Sequence, residues 1–259
     1  MRIRLRRNRS LWLRAPLTHE WYPLAALRAF VRPTDIVWDV GGNIGLYARW
    51  LATHLAARHV YTFEPMSENL GELDYNIRNG GVADRVTIIP WALSDVDGDV
   101  NFQIDDIQGA SGTICTVSGG AASAGRLALA LPPKTEKVRS RTIDSIIDGG
   151  ELPAPDVLKV DVEGAERMVL EGGKNFFASA MPRLVVETHG VEVSRQCLEF
   201  LLDLGYTTAA CVPEEVDQSR HMIVERSYLS RMIDRYDAHF VMAAKDASII
   251  PAKLDYAHR

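Results

Sequence analysis

Cysteine is scarce. The chain has three in 259 residues (Cys115, Cys197 and Cys211), odd in number, far apart and never spaced as CxxC. A disulfide framework and a zinc knuckle are therefore not signalled, and a reducing, cytoplasmic setting is the expectation. Long apolar runs are missing too: nowhere do the ~18 apolar residues of a spanning helix follow one another. The opening MRIRLRRNRSLWLRAPL breaks its apolar residues with Arg2, Arg4, Arg6, Arg7 and Arg9, unlike the unbroken core of a signal peptide. It is expected to be a solvated arm. Positive charge is not in excess either, with 29 Lys and Arg against 34 Asp and Glu and a formal charge of -5. Such a surface is not built to neutralise phosphates, so nucleic acid is not an expected partner.

What is present is enough apolar material, 47% of residues, for one large core. Apolar, β-branched runs recur at 36–40, 60–64, 86–93, 156–162 and 183–188, and amphipathic stretches lie between them near 44–57, 67–79, 165–178 and 192–204. Strand and helix alternate, and near-continuous apolar strands imply a parallel sheet covered on both faces. The fold class is therefore α/β, doubly wound and Rossmann-like, in which ligands gather beyond the carboxyl ends of the strands. Residues 1–35 read as an N-terminal extension to a domain over 36–259. Near the end, 205–212 and 239–245 read as a closing pair of strands, with a polar, helix-like stretch over 216–236 between them. Residues 105–138, rich in Gly, Ser and Ala, read as a lid or hairpin near the active site.

The segment DVGGNIG, residues 39–45, stands where the first strand becomes a helix. A glycine turn at a helix N-terminus first suggests a phosphate cradle. Yet Gly41, Gly42 and Gly45 do not meet the dinucleotide fingerprint in any register, and no Lys-Ser/Thr pair follows as in a P-loop. Asp39 would repel a pyrophosphate and attract an ammonium. S-adenosyl-L-methionine has such a group, with a carboxylate, a cationic sulfonium and a ribose diol besides. Gly41 and Gly42 let the backbone approach it closely. The helix start near Asn43 to Gly45 faces its carboxylate, and Glu64, at the end of the second strand, sits where an acid accepts from the ribose hydroxyls.

The blocks DVGGNIGLYARWLA, VYTFEPMSENLGELDYNIRNG, IIPWALSD, RTIDSII, VLKVDVEGAERMVLEGG and LVVETHG, in this order over about residues 36–190, resemble the FkbM-type methyltransferases, a branch of the S-adenosylmethionine-dependent class I enzymes. The resemblance implies a mostly parallel seven-stranded sheet and a cofactor cleft. Asp39, Gly41, Asn43 and Gly45 would line its methionine end, Glu64 would hold the ribose, and Ala92, Leu93 and Ser94 would lie beside the adenine. Gly42, Pro65 and Asp161 are counted with them. Gly42 departs from the family's usual alanine, a swap expected only to loosen the turn.

Methyl transfer to a hydroxyl needs alignment and a proton acceptor. Asp161 and Glu163 follow the fourth strand, and Glu187 and His189 close the neighbouring one. His189 is the first candidate base because imidazole titrates near working pH, with Asp161 second and Glu187 a further member of the catalytic group. Carboxylates with one histidine also suit magnesium, but spacing alone does not settle it and no metal ligand is assigned. The expected partner is a small-molecule hydroxyl acceptor, which the resemblance places among sugars, glycans and polyketide-type metabolites. No DPPY or NPPY tetrapeptide follows the fourth strand, against methylation of nucleic-acid bases. A non-catalytic protein that kept the cofactor fold is the alternative. Acceptor choice is expected to reside in 1–35, 105–138 and 213–237, with Trp12, Trp21 and Tyr22 as candidate contacts; oligomeric state is left open.

Overall fold

In the computed structural model, which describes residues 21–105, 111–114, 124–211, 222–224 and 240–250, the apolar runs become the strands of one central sheet. β1 (Ile36–Val40), β2 (His59–Phe63) and β3 (Val86–Ile89) run to one side, and β8 (Val157–Val160) and β9 (Arg183–Glu187) to the other. Beyond β9 lie β12 (Phe240–Ala244), β10 (Thr207–Cys211) and the three-residue β11 (Met222–Val224), giving the order β11-β10-β12-β9-β8-β1-β2-β3. The neighbours from β9 to β3 pair in parallel, whereas β12 runs antiparallel to both β9 and β10. The seven expected strands are present, with β11 added at the outer edge. The order reverses between β1 and β8, so the ligand crevice belongs there.

Helices cover both faces. α1 (Trp21–Phe30), α2 (Leu46–His54) and α3 (Ser67–Asn79) lie on one, where Leu27, Leu51 and Leu73 pack with Val37, Val60, Val157 and Val185. α5 (Ile143–Asp148), α6 (Glu166–Glu171), α7 (Lys174–Ala180) and α8 (Val191–Asp203) lie on the other, against Trp38, Val40, Leu158, Val160, Leu184 and Val186. Alternate positions of each strand thus feed alternate cores. The parity has a consequence at Asp39 and Lys159, which fall on the α2 face. Register sets Thr62, Asp39 and Lys159 side by side across β2, β1 and β8, a polar row inside an apolar layer.

A second sheet is formed by β4 (Ala92–Leu93), β7 (Thr135–Arg141), β5 (Gly98–Asp105) and β6 (Ser111–Ile114); β6, the start of β7 and the short α4 (Ala124–Ala128) fall within the region read as a lid. β5 and β6 form an antiparallel pair at the start of that region.

Three readings need correction. The run 86–93 is not one strand: Pro90 has no N–H to donate, so β3 ends before it and β4 joins the second sheet. The stretch 165–178 is not one helix, because Gly172 and Gly173 separate α6 from α7. A Cβ at Gly172 would lie 1.9 Å from the Ser94 carbonyl oxygen, so the break sits where the second sheet docks. The polar 216–236 is not helical throughout, since β11 lies inside it and pairs with β10; its remainder, like the arginine arm and Trp12, lies outside the described residues.

Candidate active site

The crevice at the strand reversal is an open cleft. Its floor is the turn after β1, where Gly41 (φ 89) and Asn43 (φ 47) adopt left-handed conformations. Only glycine fits at position 41, since a Cβ there would lie 1.8 Å from the Asp161 carbonyl oxygen at the end of β8. The turn is held from β2: the Gly41 and Gly42 N–H groups donate to the Phe63 carbonyl, at 3.0 and 2.8 Å.

Of the residues expected from the sequence, Gly41, Asn43, Glu64, Pro65, Ala92, Leu93 and Asp161 line the cleft. Glu64 is buried, and its two carboxylate oxygens accept from the backbone N–H groups of Asn43 and Met66, each at 2.8 Å. Burial pushes its pKa up to about 7 against the pull of those two bonds. Asn43 brings a further polar atom: its Oδ1 is buried without a hydrogen-bond partner. An acceptor orphaned in the wall of a cleft fits a ligand that carries donors, such as an ammonium or a sugar hydroxyl.

The other expected residues stand behind this lining. Asp39 is fully buried beneath it; one oxygen accepts from the Thr62 hydroxyl at 3.0 Å, and the Lys159 ammonium stands 3.5 Å from the other. Its pKa is raised by burial, against the pull of Lys159 and Thr62. The carboxylate expected to attract a ligand's amine therefore already faces a cation of the protein itself. Gly42 does more than loosen a turn, which corrects the reading of that position: a Cβ there would lie 2.1 Å from Thr62 Oγ1, so the missing methyl makes room for the hydroxyl that serves Asp39. Gly45 precedes α2 against Leu73, and the Ser94 hydroxyl is engaged by Ser140 at 2.7 Å, between β4 and β7.

Next to Asp161 and Glu163, which line the cleft, the ionisable residues after β8 and β9 come together; His189 and Glu187 stand behind that lining. His189 Nε2 lies 3.9 Å from Asp161 and 3.6 Å from Glu163, and Nδ1 lies 2.7 Å from Glu166. Burial disfavours the charged ring, but the Glu166 hydrogen bond and the Asp161 and Glu163 charges outweigh it and push the pKa up to about 9. The imidazole therefore titrates above its ordinary range and holds its proton at neutral pH. Asp161, Glu187 and His189 can each bring one ligand atom within 4.8 Å of the others. That arrangement already contains a cation: the Lys159 ammonium is 3.1 Å from Asp161, and its pKa is raised by Asp161 and Asp39 despite burial. No metal ligand is assigned.

Sequence reasoning did not single out Lys159, Thr62, Glu166 or Trp91. A lysine at the centre of the apolar run VLKV was the available signal for the first. Trp91 lines the cleft beside Ala92, with the Arg139 guanidinium 4.8 Å above its ring.

A doubly wound sheet with its cleft at the strand reversal and a glycine turn after β1 has the architecture of the class I methyltransferases. The profile described as the methyltransferase FkbM domain matches residues 39–225, and the chain belongs to that family. The hexuronic acid methyltransferase AglP of Haloferax volcanii is 30% identical over 184 residues, 70% of this chain and 66% of that protein. The 31-O-demethyl-FK506 methyltransferase FkbM of Streptomyces tacrolimicus is 28% identical over 199 residues, 70% of this chain and 75% of that protein. Among solved structures, methyltransferase FkbM from Methylobacillus flagellatus KT shares the fold with a TM-score of 0.52 at 18% identity, over 82% of this chain and 44% of that one. The chain thus spans just under two thirds of AglP and less than half of that structure.

Proposed function

We propose that the protein transfers a methyl group from S-adenosyl-L-methionine to a hydroxyl of a small molecule, a sugar, glycan or polyketide-type metabolite. The observation that carries the donor half is the pairing of Asn43 and Glu64 across the turn. A left-handed asparagine with an orphaned Oδ1 stands next to a buried carboxylate at the end of β2. Gly41, Asn43 and Asp161 would hold the methionine end, Glu64 the ribose, and Ala92 and Leu93, with Trp91, the adenine. The donor, when bound, supplies an electrophilic methyl group on sulfur. Asp39 acts from below, keeping Lys159 charged and the floor of the cleft rigid.

The acceptor half rests on the cluster around His189. As the new O–C bond forms the hydroxyl loses its proton, and Nε2 of the neutral ring takes it, with Asp161 and Glu163 stabilising the imidazolium that results. Since the free ring stays protonated up to about pH 9, the rate is expected to rise with pH until that range is passed. The O-methylation agrees with the name of FkbM, a 31-O-demethyl-FK506 methyltransferase, and a sugar-type acceptor with that of AglP, a hexuronic acid methyltransferase.

The test is calorimetry with S-adenosylmethionine and S-adenosylhomocysteine, followed by transfer of a labelled methyl group to three acceptors: a hexuronic acid glycoside, a neutral glycoside and a macrolide alcohol. Binding with turnover on at least one acceptor supports the proposal. Binding without turnover on any favours a non-catalytic cofactor-fold protein, and absence of binding overturns the donor assignment.

A further inference from the structure

The acceptor chemistry above leaves one acid of the cluster without a task, and it is the most deeply buried one. Glu166 stands in the first turn of α6 with its side chain wholly out of solvent. Its Oε1 accepts from the Gly164 N–H at 2.9 Å and faces His189 Nδ1 at 2.7 Å, while its Oε2 is buried with no hydrogen-bond partner. A carboxylate in that setting is costly unless a cation or strong donor holds it, and the imidazole supplies both. A carboxylate only accepts, so the bond requires hydrogen on Nδ1. In the neutral ring the lone pair then belongs to Nε2.

The local backbone explains how one short segment addresses both ring nitrogens. Glu163 (φ 56) and Gly164 (φ 102) are consecutive left-handed residues, and for a glutamate that conformation is strained. The reversal leaves Glu163 in front of the ring, 3.6 Å from Nε2, and brings Glu166, three residues on, behind it at Nδ1.

We propose that Glu166 is the positioning residue for His189, fixing the Nδ1–H tautomer and aiming Nε2 at the acceptor side of the cleft. It acts through the ring and touches neither acceptor nor donor. The inference rests on the reading of His189 as proton acceptor. The charged groups against the ring are Glu166 from α6 and Asp161 and Glu163 from the turn after β8; Glu187 at the end of β9 reaches the same site, and the Lys159 ammonium from β8 is engaged by Asp161. Glu166 addresses Nδ1, whereas Asp161 and Glu163 stand at Nε2.

The experiment is nitrogen-15 NMR of labelled histidine rings, read beside the pH–rate profile. In the unmodified protein, above the pKa of about 9, the neutral His189 ring is expected as the Nδ1–H tautomer, a measurement that needs no variant to fold. In Glu166→Gln the titration midpoint is expected to fall toward the ordinary 6.5, and the rising limb of the rate profile to fall with it. The plateau rate drops by about tenfold or more, while donor affinity stays within about twofold because no donor contact is lost. Glu166→Asp, which keeps the charge but shortens the reach, should retain part of the raised midpoint. An Nε2–H tautomer in the unmodified protein, or an unmoved midpoint in Glu166→Gln, overturns the inference. A midpoint that moves while the rate limb stays in place overturns the reading of His189 as base, and with it any part for Glu166 in the reaction.

Discussion

The row Thr62, Asp39, Lys159 decides what the first glycines of the turn are for. Thr62 donates to one Asp39 oxygen and Lys159 stands beside the other, and both oppose the burial that raises the pKa of this acid. Removing the lysine leaves two acids uncompensated, one of them fully buried, so Lys159→Met should destabilise the fold by about 3–5 kcal/mol in urea unfolding. A loss below ~1 kcal/mol would mean that the acids are neutralised some other way. Gly42→Ala presses on Thr62 Oγ1 and should cost about 1–2 kcal/mol. Because the clash is with that hydroxyl, the double variant Gly42→Ala, Thr62→Ala should cost less than the sum of its parts, and strict additivity would show that the two do not communicate. Glu64 behaves differently, since it faces the ligand. With its pKa raised to about 7, it loses its charge as pH falls through neutrality, so donor affinity should weaken below that point. Glu64→Gln should bind at a weaker level with no such dependence. Sequence alone gave the acids at 39 and 64 but not the lysine between the strands, because charge on a buried strand becomes meaningful only once register says what it faces.

Elements were legible where periodicity is long and uniform. α3 matches its expected span of 67–79, and α8 buries Ser194, Cys197, Leu198 and Leu201 at helical spacing. They were misread where tertiary packing interrupts a good local pattern. The helix expected over 165–178 fails at Gly172 because the backbone of β4 passes against it, a contact no local window contains. The second sheet was not legible beyond a lid or hairpin over 105–138, since β5 and β7 are largely exposed on one face and their pairing joins residues about 40 apart, as in Gly98 with Ser140. The two glycine contacts can be ranked. At Gly42 a Cβ meets a side-chain hydroxyl that can rotate away; at Gly172 it meets a carbonyl oxygen and carbon at 1.9 and 2.8 Å, held in the sheet by the Ser94 N–H bond to Arg141. Gly172→Ala should therefore cost more than Gly42→Ala, about 2–4 kcal/mol, and should loosen the second sheet first. Amide exchange in β4 and β7 faster than in β1 and β8 would show it; uniform change across both sheets would contradict this docking role.

Across the whole molecule, two groups beside the cleft, Glu64 and His189, titrate far enough from their ordinary range within accessible pH that their effect on stability can be given a sign. Glu64 has a folded pKa of about 7 against 4.5, and His189 about 9 against 6.5. Each binds its proton more tightly folded than unfolded, so each contributes stability that is fully present below its unfolded value and lost as pH rises through its folded one. For Glu64 that window is about 4.5 to 7 and for His189 about 6.5 to 9; the former corresponds to roughly 3 kcal/mol and the latter to less, because the imidazole is nearly a third exposed. At the acid end the sign reverses. Asp97 is opposed by burial but held below the usual carboxylate range by the Thr142 N–H and the Ser145 hydroxyl, so its contribution disappears as pH falls through that range. The urea midpoint should therefore be highest near about pH 5 and decline in two stages toward pH 9. Glu64→Gln should flatten the first stage alone and His189→Gln the second alone. If His189→Gln declines between 6.5 and 9 as steeply as the unmodified protein, then the proton on that ring is not what holds Asp161, Glu163 and Glu166 together, and the charge arrangement on which proton transfer depends is not in place.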